Sequence, residues 1–164
     1  MMDIPAEWTA VTPEWMTAAL SASFPGAEVD GVTVELIDDG TNRRARLGLS
    51  YAGGSGPATV FLKASDLEHA AVNARTGGVF NEARLFASGV SLPIEHPAVY
   101  FTQIDEPRLD FIMVMEDLLA RGCDPRDATR PMTVAQVSSG IRSLAQLHRS
   151  FWGDRWRRHP ELSW

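Results

Sequence analysis

Apolar and polar residues change rhythm several times along the chain, and each rhythm predicts an element. Near the start, Trp15, Met16, Ala19 and Leu20 share one side of a helix. Thr12 can cap that helix, Pro13 suits its first position, Glu14 complements its dipole, and Pro25-Gly26 ends it. The period then falls to two. Val32, Val34 and Leu36 alternate with Thr33 and Glu35. Ala45, Leu47, Leu49 and Tyr51 alternate with Arg44, Arg46, Gly48 and Ser50, and a third run spans Ala58 to Ala64. Asp38-Asp39-Gly40 and the Gly53–Pro57 loop separate the three, so an antiparallel meander is expected.

From Asp66 to Gly89 the rhythm is helical again, divided at Gly77-Gly78 into a short piece and a helix from Val79 to Ser88. Phe80, Ala83, Phe86 and Ala87 lie on one side of the second piece, and Gly89 fits its C-terminal cap. Two strands follow, Ala98–Ile104 and Leu109–Met115, joined by the turn Asp105-Glu106-Pro107-Arg108. The last of these is almost continuously apolar, as a strand covered on both faces should be. Glu116 to Pro131 is polar and reads as a linker. A long helix closes the pattern from Val134 to Trp152, with a capping box at Thr133 and Gln136. Its apolar stripe is Val134, Val137, Ile141, Leu144, His148 and Phe151, with His148 read as a packed histidine. The order predicts an α+β fold, a five-stranded antiparallel sheet with an inserted helix, and not the alternating order of a dinucleotide-binding fold.

Composition narrows the function. The 164 residues carry 15 Lys and Arg against 21 Asp and Glu, a net charge of −6, so a general nucleic-acid or anionic-membrane binder is not expected. Arg155, Arg157, Arg158 and His159 then read as solvated rim residues, not a nucleic-acid site. The single cysteine, Cys123, excludes an intrachain disulfide and a Cys-rich zinc site. His69, His96 and His148 share no metal-ligand spacing. No leader pattern opens the chain and no stretch of it is apolar enough to span a bilayer, which points to a cytoplasmic protein.

Three places carry candidate chemistry. Lys63 ends the third strand in Val60-Phe61-Leu62-Lys63, where it must either reach solvent along its stem or meet an anion. Glu82, near the middle of the inserted helix, can hold that ammonium while its other N–H donors meet phosphate oxygens; Arg84 and Arg75 are the alternative partners of Glu82. The turn Val114-Met115-Glu116-Asp117-Leu118 ends an apolar strand and leaves backbone groups free at an edge, as a flat heterocycle such as adenine requires.

Taken in order, Phe61-Leu62-Lys63, Phe80-Asn81-Glu82 with Leu85-Phe86, Val114–Leu118, and Leu144-Ala145-Gln146-Leu147-His148 with Phe151-Trp152-Gly153 resemble the aminoglycoside phosphotransferase-like (choline kinase-like) family of small-molecule kinases. The resemblance covers about residues 28–153. It implies a protein-kinase-like N-terminal lobe over residues 1–118, a linker over 119–132, and over 133–164 the first helix of a second lobe. It also implies that Lys63 orients the α- and β-phosphates of ATP with Glu82 as its ion-pair partner. Met115, Glu116, Asp117 and Leu118 become the adenine-binding hinge, and Gly40, Thr41 and Asn42 the turn covering the phosphates. That turn holds one glycine where protein kinases have G-x-G-x-x-G.

In the same family a catalytic carboxylate and the Mg²⁺ ligands follow the last helix on an H-G-D-x-x-x-x-N loop. Trp152-Gly153-Asp154 lacks the histidine, and Asp110-Phe111-Ile112 has isoleucine where D-F-G has glycine. No catalytic or metal residue is therefore assigned, and the chain alone is expected to be inactive, its expected partners being a small-molecule acceptor and either a second lobe or another copy meeting the 133–152 helix. The alternative is a non-catalytic kinase-like binding or oligomerisation module.

Overall fold

A computed structural model describes residues 2–75, 78–125 and 129–164. Helix α1 (Pro13–Leu20) starts as its residues require: Thr12 Oγ1 accepts the N–H of Trp15 at 3.2 Å and Pro13 takes the first turn. Met16, Ala19 and Leu20 are buried beneath it. Five strands follow, β1 (Glu28–Ile37), β2 (Asn42–Gly53), β3 (Thr59–Ser65), β4 (Val99–Asp105) and β5 (Asp110–Glu116). They form one antiparallel sheet in the order β1-β2-β3-β5-β4. The first three make the expected meander. The β4–β5 hairpin then inserts β5 beside β3, which explains why Asp110 to Met115 are all buried.

Alternation along the strands divides the core in two. On one face Ala45, Leu47, Val60, Leu62, Ala64, Ile112 and Val114 pack against Ile4, Trp8, Val11 and the buried side of α1. On the other, Phe111, Met113, Met115 and Phe61 pack against Phe80, Ala83 and Phe86. Helix α3 (Asn81–Ala87), which carries Ala83 and Phe86, lies on the β4 and β5 side of that second face. On the β2 and β3 side of that face Arg44, Arg46, Phe61 and Lys63 are only partly buried, which makes that half the more open one.

The insertion between β3 and β4 holds two helices, α2 (Leu67–Arg75) and α3, matching the two helical pieces that the pattern predicts. Gly78 to Phe80 is spent on a turn, with Asn81 N–H donating to the Gly78 carbonyl at 3.3 Å. Glu82 therefore stands in the first turn of α3, not at the middle of a longer helix. Lys63 also needs correction, since β3 continues through Ala64 and Ser65, both buried. Ser65 Oγ donates to the buried Asp110 carboxylate and accepts the Phe111 N–H at 3.1 Å, which carries the strand past the lysine. In the loop after β2, Gly54 has φ +66°, and a Cβ there would fall 2.1 Å from the Gly26 carbonyl oxygen. Only glycine fits that crossing.

Helix α4 (Val134–Phe151) has the capping box: Gln136 N–H to Thr133 Oγ1 at 3.3 Å and Thr133 N–H to Gln136 Oε1 at 2.9 Å. None of its side chains is buried. Val134, Val137, Ile141 and Leu144 are exposed, and His148 is exposed rather than packed. Only the far end of α4 meets the body, where Leu147, His148, Phe151 and Trp152 line a shallow groove of about 330 Å³ with Leu85, Leu92 and Leu162. No helix among the described residues is long and apolar enough to cross a membrane.

Candidate functional site

The open half of the second face is built by strand register. Arg44 of β2 stands opposite Lys63 of β3, which stands opposite Met113 of β5. Two residues along, Arg46, Phe61 and Met115 form the next row. Residues paired across antiparallel strands face the same side, so the two rows make one surface with cations at its β2 edge and apolar groups toward β5.

Lys63 Nζ forms an ion pair with Glu82 Oε2, across from β3 to the first turn of α3. One of the two rival partners for Glu82 is engaged elsewhere: Arg84 reaches Glu106 at 2.6 Å. Lys63 is 22% exposed, so the pair borders the open surface instead of being sealed beneath it. Arg44 and Lys63 are like charges directly opposite one another, an unfavourable arrangement. Asp38 offsets it on the Arg44 side, with an ion pair of 3.2 Å and a carbonyl that accepts from Arg44 Nε at 2.7 Å.

The turn from Asp38 to Arg43 is tied to itself. Asp38 N–H donates to the Arg44 carbonyl at 3.0 Å, Gly40 N–H to the Asn42 carbonyl at 3.0 Å, and Arg44 N–H to Asp39 Oδ1 at 2.8 Å. Gly40 thus has its amide committed within the turn, Thr41 is exposed at its tip, and Asn42 starts β2 opposite Ser65. Arg43 serves the opposite face. Its guanidinium donates to the carbonyls of Ala6 at 2.6 Å, Pro5 at 3.2 Å and Ser65 at 2.9 Å, and lies over the Trp8 ring.

In the turn after β5 several of the backbone groups are bonded within the protein. Glu116 N–H donates to the Ala98 carbonyl at 2.8 Å, while its carboxylate accepts from Ala98 N–H at 3.1 Å and meets Arg121 at 3.3 Å. The Asp117 and Leu118 carbonyls accept from Ala120 at 3.1 Å and Cys123 at 2.9 Å. Asp117 itself is 3% exposed, and its carboxylate points inward. Oδ2 accepts from Arg46 Nε at 2.6 Å and Thr59 Oγ1 at 2.7 Å, and Oδ1 from Leu119 N–H at 3.0 Å. Burial pushes the Asp117 carboxyl up, but the bonds from Thr59, Leu119 and Arg46 outweigh it and hold the group below its ordinary value of 3.8. Glu35 adds a second carboxylate to the same Arg46 Nε at 3.4 Å.

Of the residues named from the sequence, Lys63, Glu82 and Met115 border one surface. Glu116 and Asp117 hold the turn beside it, Leu118 lies half-buried in that turn, and Gly40, Thr41 and Asn42 belong to the separate β1–β2 turn. Phe61, Thr59 and Arg46 join the site without having been assigned a role. Alternation already puts Arg44 and Arg46 on the polar side of β2, but the partner of Arg46 is 71 residues away, beyond any local period. Among the described residues no group of three or more His, Cys, Asp or Glu could hold a metal ion. No protein-family model, no curated protein and no solved structure matches this chain.

Proposed function

We propose that this chain is the nucleotide-binding lobe of a phosphotransferase that moves the γ-phosphoryl group of ATP to a hydroxyl of a small molecule. The observation that carries the reading is the Lys63–Glu82 ion pair at the border of an open sheet face. An ammonium held by one carboxylate keeps further N–H donors for phosphate oxygens, and such charge-assisted bonds are strong where water is excluded. Phe61, one row away and only partly buried over Met115, supplies an apolar surface on which a flat base can lie. These residues bind and orient; Mg²⁺ would accompany the nucleotide and neutralise its β- and γ-oxygens. The described residues fit the nucleotide and offer no cluster for the metal, so the reading assigns the Mg²⁺ ligands and the base that receives the acceptor proton to another lobe.

Thermal unfolding with ATP and Mg²⁺ tests it. Ligand at ~100 times its dissociation constant stabilises a protein by about 2.7 kcal/mol. Wild-type protein should show that gain, and Lys63→Ala and Glu82→Gln should lose most of it. A wild-type chain indifferent to ATP, ADP and adenosine overturns the reading. A second reading, a non-catalytic kinase-like or oligomerisation module, is favoured by the uncovered stripe of α4.

A further inference from the structure

Asp117 brings together four separate parts of the chain. Its carboxylate holds Arg46 of β2 and Thr59 of β3, its turn leaves the end of β5, and Glu35 of β1 reaches the same guanidinium. Glu35 reaches it across Gly48, where a Cβ would stand 2.5 Å from the flexible end of the glutamate. The turn from Asp117 to Cys123 lies outside the sheet ladder and closes on itself through Ala120, Gly122 and Cys123. Its inward anchor is the Asp117 side chain. A carboxylate this buried is costly without its partners, so losing Arg46 would expel or neutralise it and release the turn.

We propose that Arg46 and Asp117 are positioning residues, whose ion pair fixes the Glu116–Leu118 turn against the open face and so sets the place of the nucleotide base. The proposal rests on the nucleotide reading above. It gives Asp117 an indirect role, since its carboxylate is buried and occupied by Arg46 and Thr59. It also separates two halves of one site. Arg46 shares its row with Phe61 and Met115, beside the turn, whereas Lys63 shares the other row with Arg44 and Met113. Base and phosphate recognition should therefore respond to different substitutions.

The test measures binding of adenosine, ATP and inorganic tripolyphosphate by calorimetry, together with amide hydrogen exchange at Leu119, Ala120, Gly122 and Cys123. Arg46→Gln and Asp117→Asn should each weaken adenosine and ATP about tenfold and speed exchange in the turn, leaving tripolyphosphate unchanged. Lys63→Ala should do the reverse, losing tripolyphosphate while keeping adenosine and normal exchange. Thr59→Val removes one of the three bonds to the same carboxylate and should give a smaller effect of the Asp117 kind in a folded protein. Unchanged adenosine binding in both Arg46→Gln and Asp117→Asn overturns the proposal and leaves the nucleotide reading standing, as does a parallel loss of tripolyphosphate. Wild-type protein that binds neither adenosine nor ATP overturns both.

Discussion

Asp117 keeps a charge that water no longer solvates, and three hydrogen bonds make that tolerable. Its carboxyl is held below 3.8, so the folded state binds a proton there less readily than the unfolded chain does. The stability it contributes is complete above the ordinary carboxylate range and is lost as the pH falls through the lowered folded value. Asp117→Asn should thus be less stable than wild type at neutral pH by about 1.5–3 kcal/mol, with the gap narrowing as the pH falls below 3.8. Urea unfolding across a series from pH ~7 downward checks this; an equal gap throughout would remove the charge from the account. Lys63 and Glu82 were legible from the sequence as a candidate pair, because an ammonium after Val60-Phe61-Leu62 demands an anion. Asp117 was legible only as an acidic residue ending an apolar strand. Its inward orientation depends on Arg46 and Thr59, which only the folded sheet brings near it.

At the scale of elements, local signals were sound where they concern backbone ends. Both caps formed as their residues require, at Thr12 and at Thr133 with Gln136. Helix α4 depends on its cap more than α1 does, because nothing in it is buried. A helix without a buried face leans on local terms. Thr133→Ala should lower the stability of α4 by about 1 kcal/mol and fray its first turns, leaving the sheet unfolding transition in place. Amide exchange over residues 134–140 reads the result, and unchanged protection there would show tertiary support that the exposed stripe does not suggest. The boundaries of α3 were less legible. The periodicity of Phe80, Ala83 and Phe86 does mark its buried side, but the preceding turn consumes Gly78 to Phe80 and moves Glu82 to the helix start.

The whole molecule is uneven. Its sheet is sandwiched by two clusters, while α4 presents Val134 at 83%, Ile141 at 62% and Leu144 at 50% exposure. Large exposed apolar patches go with interaction sites or with aggregation. The protein should self-associate or bind an apolar dye, and Ile141→Gln with Leu144→Gln should abolish both without lowering the thermal midpoint of the sheet. Sedimentation velocity across a concentration series, with dye fluorescence alongside, decides the matter. A monomer at every concentration with no dye binding would mean the stripe is covered in solution.

By itself the sequence determined the elements and their order, because turn residues, caps and the periods of two and three to four act through near neighbours in the chain. It also singled out Lys63 and Glu82, since a charge among apolar residues calls for a partner. The tertiary structure alone decided that β5 lies between β3 and β4, and that α3 leaves half of one face open. It also decided that Arg46 turns Asp117 inward. Those outcomes depend on contacts between residues far apart in the chain, and packing and desolvation select them only once the sheet has closed around them.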